Sequence, residues 1–275
     1  MQLLQLLKHI KSEISANYDA NEAEAISYLI LEHFGFSKTD IIINSDVTVD
    51  QSQLEGILVR LKNNEPLQYI LGNGWFYNRK FEVNPSTLIP RIETEELVHL
   101  ILSNNKEKRA LRVLDIGTGT GCIPITLFLE NSLFEVSGID ISEKAIEIAN
   151  QNATKLNAKV NFFVKDIFTI SNLEGFDIVV SNPPYVTNAE KNLMNENVLN
   201  YEPHTALFVE DENPLLFYKI IAELAGESST IKQLYFEINE QFGEVTRLLL
   251  LQNGFNSSEI VKDMQRKDRM VFGFK

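Results

Sequence analysis

The chain is poor in the residues that most often do chemistry by themselves. One cysteine, Cys122, in 275 residues excludes an internal disulfide and fits a reducing compartment. It sits in an apolar helical stretch, which favours a buried structural thiol over a nucleophile. Only four histidines occur, His9, His33, His99 and His204, and none has ligand-like spacing, so no metal is expected. No stretch approaches the roughly 18 apolar residues that cross a bilayer. The opening Met1-Gln2-Leu3-Leu4-Gln5 carries no basic leader, so the expectation is a mature cytoplasmic protein with no membrane partner. Positive charge is scarce as well: 25 Lys and Arg against 38 Asp and Glu give a net charge of −13. That balance argues against a grip on many phosphates, so no direct nucleic-acid partner is expected, and the chain is expected to act as a monomer.

What is present is an ordinary globular composition, 44% hydrophobic and 23% charged. From residue 1 to 66 the apolar spacing is helical, beginning with Leu3, Leu6, Leu7 and Ile10. A second helix is expected to open at Asn21 with Glu24 in a capping box, and a third to follow Thr48. Residues 67–87 are rich in aromatics and broken by Gly72, Asn73 and Gly74, which predicts a β-hairpin linker starting near Gln68. From 88 to 275 strands and helices alternate, the pattern of a mainly parallel sheet covered on both faces. Strands are predicted at Leu111–Ile116, Phe134–Ile139, Val160–Val164, Phe176–Ser181 and Gln233–Ile238. Two final strands, without a helix between them, would pair antiparallel at one edge.

Two motifs stand at strand ends, where open α/β sheets hold their sites. The first is Asp115-Ile116-Gly117-Thr118-Gly119-Thr120-Gly121, a buried strand running into a glycine-rich turn and then a helix. It fits G-x-G-x-G and lacks the Gly-Lys-Ser/Thr of a phosphate-cradling loop. Asp140 ends the next strand, where a carboxylate can accept both hydroxyls of a ribose. Asp166 could accept from an adenine amino group with Ile167 packed on the ring, and Asp115 would face a cationic amino end. A ligand with an amino acid, a ribose and an adenine but no phosphate satisfies these positions, namely S-adenosylmethionine. The plainer reading, a tight strand-to-helix turn with helix-flanking charges, uses only part of the pattern.

The second motif is Asn182-Pro183-Pro184-Tyr185. The Asn side-chain oxygen and the Pro183 carbonyl can accept both hydrogens of one planar NH₂ group, and the prolines stiffen the loop that carries them. Tyr185 would stack on that planar group. Alone, the tetrapeptide could be a rigid loop; beside the glycine turn it suggests methyl transfer to nitrogen.

With these motifs, the sequence resembles the bacterial protein-(glutamine-N5) methyltransferases that modify peptide chain release factors, within the class I S-adenosylmethionine-dependent enzymes. The resemblance extends over Pro66-Leu67-Gln68-Tyr69-Ile70-Leu71-Gly72, Phe76-Tyr77, Leu88 to Val98, Tyr201-Glu202-Pro203 and Ala206-Leu207. It implies a Rossmann-like α/β fold with a mainly parallel seven-stranded sheet and a small N-terminal helical domain that docks the substrate. The implied catalytic residues are Asn182, Pro183, Pro184 and Tyr185; the implied cofactor residues are Asp115, Gly117, Thr118, Gly119, Thr120, Gly121, Asp140, Asp166, Ile167 and Asn182. The implied partner is a release factor, entering by its Gly-Gly-Gln loop. The chain has Ile92 where the family usually has Pro, and Asn239-Glu240-Gln241 where a Gly is common after the fifth-strand Glu. Arg91 and Glu93 either pair with each other, cap the following helix, or act at the pocket edge. Two other readings are a methyltransferase of the adenine amino group in DNA or RNA and a catalytically silent binding protein of the same fold.

Overall fold

The computed structural model describes residues 2–43, 46–107 and 109–275. Met1, where the helical domain is expected to begin, lies outside them. In chain order, the first elements are α1 (Leu3–Ile14), α2 (Ala20–His33), α3 (Lys38–Ile43), α4 (Gln51–Lys62) and α5 (Leu67–Leu71). A hairpin of β1 (Asn73–Phe76) and β2 (Arg79–Glu82) leads to α6 (Ile92–Asn104), β3 (Leu111–Ile116), α7 (Cys122–Glu130), β4 (Phe134–Asp140), α8 (Glu143–Lys155) and β5 (Val160–Val164). Then come β6 (Ile178–Ser181), β7 (Val186–Thr187), α9 (Glu196–Tyr201), β8 (Phe208–Val209), α10 (Leu216–Glu227), β9 (Gln233–Glu237), α11 (Gly243–Gln252), β10 (Ser257–Lys262) and β11 (Asp268–Phe274).

Two compact units result, Met1–Gly72 with Asn195–Tyr201, and Asn73–Met194 with Glu202–Lys275. In the first, α1 buries Leu3, Leu6, Leu7, Ile10 and Ile14 along one helical stripe, packed with Ile30, Leu31, Leu58 and Leu61. The expected helix starts are corrected by one or two residues. Asp19 caps α2, its carboxylate accepting from the Asn21 and Glu22 N–H groups, so Asn21 is already inside the helix. Asp50, not Thr48, caps α4 by accepting from the Gln53 N–H. A carboxylate at the N-cap also meets the positive helix end, which favours it over the neutral alternatives. Tyr201 joins this unit through its hydroxyl, which donates to the Asn63 carbonyl at 2.8 Å.

The expected strand at Gln68–Leu71 is a helical turn. Pro66 accepts from the Tyr69 and Ile70 N–H groups, and Gly72 ends the turn at φ 70°, a left-handed conformation that suits glycine. Five residues are too few for a helical period to show in sequence, and the aromatic content mimics a strand. The hairpin is therefore shorter than expected and belongs to the second unit.

The second unit is built on a seven-stranded sheet of order β10-β11-β9-β6-β3-β4-β5. Pairs among β9, β6, β3, β4 and β5 are parallel, while β11 pairs antiparallel with both β9 and β10. Alternate residues feed two cores: Val113, Ile178, Val180 and Tyr235 on one face with α6 and α7, Leu114, Val179, Leu234 and Phe236 on the other with α10 and α11. From β3 the chain winds outward through β4 and β5, then crosses back to place β6 on the other side of β3. The carboxyl ends of β3 and β6 thus flank the switch in winding direction, where a crevice opens. Gly117 and Asn182 are the residues that leave those two ends.

Candidate active site

After β3 the chain turns through Gly117, Gly119 and Gly121, all at positive φ (77°, 52° and 77°). The Gly117 and Thr118 N–H groups donate to the Ile139 carbonyl at 2.9 and 3.0 Å, which pins the turn to β4. A Cβ at Gly119 would meet nothing within 4 Å, so the backbone there is bare toward open space. Gly121 serves packing: a Cβ would come within 3.0 Å of Ile125 and Phe162.

Asp140 ends β4. Its Oδ2 accepts from the Gly119 N–H and its Oδ1 from the Ser142 N–H, both at 2.9 Å. Burial pushes this carboxyl above its ordinary value, while those backbone donors pull it down. Asp166 accepts from the Phe168 N–H at 2.9 Å, which orders the short turn carrying buried Ile167. The Phe168 and Phe217 rings lie 5.3 Å apart beside it.

A cavity of about 400 Å³ joins these parts. Its wall includes Gly117, Thr118, Gly119, Thr120, Asp140, Asp166, Ile167, Asn182, Pro183 and Pro184, together with Leu88–Arg91 and Thr94. The structure therefore gathers most of the sequence-expected residues around one space. Asp115, Gly121 and Tyr185 are not in the wall. Asp115 is fully buried behind the turn, where burial pushes its carboxyl up to about 7. Tyr185 points its hydroxyl inward to Glu237 Oε1 at 3.0 Å and lies against the core below the sheet end. Cys122 borders the cavity as a buried free thiol, and burial pushes it up to about 12.

The wall fits S-adenosylmethionine by the chemistry of its atoms. The Thr118 hydroxyl is in the wall and buried, yet makes no hydrogen bond among the described residues, and neither Asp115 carboxylate oxygen makes one there either. Asp140 and Asp166 offer carboxylates on one side, a set suited to a ligand's hydroxyl and amino hydrogens rather than to phosphates.

At the end of β6, Asn182 donates its Nδ2 to the Thr94 hydroxyl at 3.2 Å, and that hydroxyl donates to Glu237 Oε2 at 2.7 Å. Among the described residues no hydrogen bond reaches Asn182 Oδ1 or the Pro183 carbonyl. Both are acceptors in the loop at the cavity. Thr94 and Glu237 lie in segments that carry the resemblance but were not singled out as site residues by the sequence, because each lies far along the chain from Asn182.

Arg91 does not pair with Glu93. It forms an ion pair with Glu202, whose other carboxylate oxygen accepts from the Ile89 N–H at 3.2 Å. Glu202 is 4% exposed and so fastens the wall segment that precedes α6. The Arg91 side chain makes no cap of α6 either. Ile92 is the first residue of that helix, a position whose N–H needs no helical partner, so Ile serves there as well as Pro.

The family described as a methyltransferase domain matches residues 107–270, and the PrmC N-terminal domain matches residues 5–72. The chain is 43% identical to the release factor glutamine methyltransferase of Flavobacterium psychrophilum over 97% of its own length and 98% of the relative's. It is 42% identical to that of Bacteroides thetaiotaomicron, over 97% and 98%. Among solved structures, the hMettl16 catalytic domain in complex with a MAT2A 3′UTR hairpin superposes with a TM-score of 0.58. That likeness covers 71% of this chain and 74% of the other at 18% identity, and it is one of fold alone. With the glycine turn, the Asn-Pro-Pro-Tyr loop and the full-length relatives in agreement, the chain belongs to the release factor glutamine methyltransferase family.

Proposed function

We propose that this protein transfers a methyl group from S-adenosylmethionine to the side-chain amide nitrogen of the glutamine in the Gly-Gly-Gln loop of a peptide chain release factor. The observation that carries this reading is the pair of unpartnered acceptors, Asn182 Oδ1 and the Pro183 carbonyl, in the loop that borders the cavity. When bound, S-adenosylmethionine would supply an electrophilic methyl on a sulfonium, its methyl–sulfur bond breaking to leave S-adenosylhomocysteine, and the methylated amide would then shed one N–H proton.

An amide nitrogen is a poor nucleophile because its lone pair is delocalised into the carbonyl. Asn182 Oδ1 and the Pro183 carbonyl accept the two N–H bonds and hold the NH₂ plane, so that the nitrogen lone pair can be presented to the methyl. As positive charge grows on that nitrogen, the two acceptors are already aligned, and such preorganised electrostatics is usually the largest contribution to rate. Pro183 and Pro184 fix the backbone that carries them before the substrate arrives. Thr118, Asp140, Asp166 and Ile167 bind and orient the cofactor. Tyr185 supports the loop from within through Glu237 rather than by stacking on the amide.

Asn182→Ala is expected to lower methyl transfer on the order of 100- to 1,000-fold while leaving S-adenosylmethionine affinity nearly unchanged. Radiolabelled cofactor with a release factor as acceptor measures the first, calorimetry the second. Unchanged turnover would sink the acceptor role, and label in DNA or RNA but none in the release factor would favour the adenine-directed alternative. We assign cytoplasmic action, where release factors work, and docking of the release factor to the helical unit, whose Ile42 and Val59 are exposed apolar residues. Ile42→Lys with Val59→Lys should raise KM for the release factor without changing cofactor affinity; an unchanged KM would remove docking from those residues.

A further inference from the structure

Asparagine presents a donor end and an acceptor end of nearly the same shape, so a site that uses only the oxygen must tell the two apart. Glu237 closes β9 and is 1% exposed. Its two oxygens accept from two hydroxyls, Oε1 from Tyr185 at 3.0 Å and Oε2 from Thr94 at 2.7 Å. A hydroxyl carries one proton. Once Thr94 has directed it to Glu237, its Oγ1 has only lone pairs to offer Asn182, and the amide must answer with Nδ2, 3.2 Å away. Turning the amide over would set two acceptor oxygens face to face with no hydrogen between them, at a typical cost of about 1–3 kcal/mol.

We propose that Thr94 and Glu237 are positioning residues that fix which end of the Asn182 amide faces the cavity. The inference rests on the reading of Asn182 as acceptor for the substrate amide. The three residues come from α6, from β9 and from the loop after β6, with Thr94 88 positions from Asn182 and 143 from Glu237. Two strands' ends and one helix must therefore be in register for the oxygen to point outward. Burial pushes the Glu237 carboxyl above its ordinary value, while the hydrogen bonds from Thr94 and Tyr185 and the charge of Arg269 act against that rise.

The test compares Thr94→Val, which keeps the shape and removes the hydroxyl, with Thr94→Ser, which keeps the hydroxyl. In Thr94→Val, kcat for methyl transfer to the release factor falls several-fold, because the amide loses its preferred orientation and no longer always presents Oδ1 to the cavity. The S-adenosylmethionine Kd stays at its wild-type value, while the melting temperature falls because buried Glu237 Oε2 loses its donor. Thr94→Ser recovers the larger part of the lost rate. In the Asn182→Ala background the Val substitution costs less than about two-fold more, because its effect acts through the side chain already removed. Wild-type kcat in Thr94→Val, no recovery in Thr94→Ser, or a full further loss in the Asn182→Ala background each overturns the assignment. Absence of methyl transfer by the unaltered protein is a different failure: it removes the functional reading, and this inference with it.

Discussion

The carboxylate of Asp140 closes on the N–H of Gly119 at 2.9 Å, tying the end of β4 to the middle of the glycine turn. One residue thereby holds the turn open in its left-handed shape and presents lone pairs to the cavity. Asp140→Ala removes two backbone hydrogen bonds as well as the proposed contact with S-adenosylmethionine. Hydrogen bonds to a charged group contribute about 1.5–3 kcal/mol each, so S-adenosylmethionine affinity should fall roughly 10- to 100-fold. Calorimetry reads this directly, and a wild-type Kd in the variant would refute the cofactor role.

Asp115 predicts a pH dependence of stability. Its folded-state value, about 7, lies above the ordinary 3.8 because the carboxyl is fully buried, which outweighs the lowering effect of the nearby Thr118 hydroxyl. The folded protein therefore holds this proton more tightly than the unfolded chain does. The stabilising contribution is complete below pH 3.8 and is lost as pH rises through 7. Asp115→Asn should flatten that slope and gain on the order of 4 kcal/mol at pH 8 relative to the parent. Thermal melts at pH 5 and pH 8 check it; parallel losses in both proteins would show that Asp115 is not the titrating group.

Asn152 links three places in the second unit. Its Oδ1 accepts from the Glu82 N–H at 2.6 Å, and its Nδ2 donates to the carbonyls of Glu82 and Thr120, each at 3.0 Å. The side chain is fully buried, so Asn152→Leu leaves backbone groups of β2 and of the glycine turn unpaired away from water. Leaving buried groups unpaired costs about 1–3 kcal/mol for each, and we expect a loss of about 3 kcal/mol in urea unfolding. A change below 1 kcal/mol would mean water takes over these bonds.

The wall segment before α6 makes a fourth prediction. Glu202→Gln keeps an acceptor for the Ile89 N–H but removes the charge that pairs with Arg91. Breaking one partner of a largely buried ion pair leaves the other uncompensated, at a cost of about 3–5 kcal/mol when both are buried and less here, where Arg91 is partly exposed. The expected result is a lower melting temperature and a raised KM for the release factor. Unchanged values of both would leave Glu202 without a role in the wall.

The sheet was legible in the sequence because its strands are nearly continuous apolar runs punctuated by glycine and aspartate. Leu111–Ile116 and Val160–Val164 fall where expected to the residue, and Ser142 caps α8 as read, accepting from the Ala145 N–H. The glycine turn and Asn182 were legible because their chemistry is local. What escaped was of two kinds. Helix starts at Asp19 and Asp50 depend on which of several polar residues reaches the free N–H groups, and the short turn at Leu67–Leu71 is too brief to carry a period. The Asn182–Thr94–Glu237 chain and the Arg91–Glu202 pair depend on tertiary closeness between distant segments, which one sequence does not encode in any local pattern.

Cys122, the only thiol of the chain, borders the cavity while buried and resists ionisation. A thiol-directed reagent is therefore expected to modify it slowly, through the cavity it borders or on transient opening of the start of α7. Its modification rate would serve as a clock for access to the cavity. Occupancy of the cavity should slow that clock in proportion to the fraction of molecules occupied.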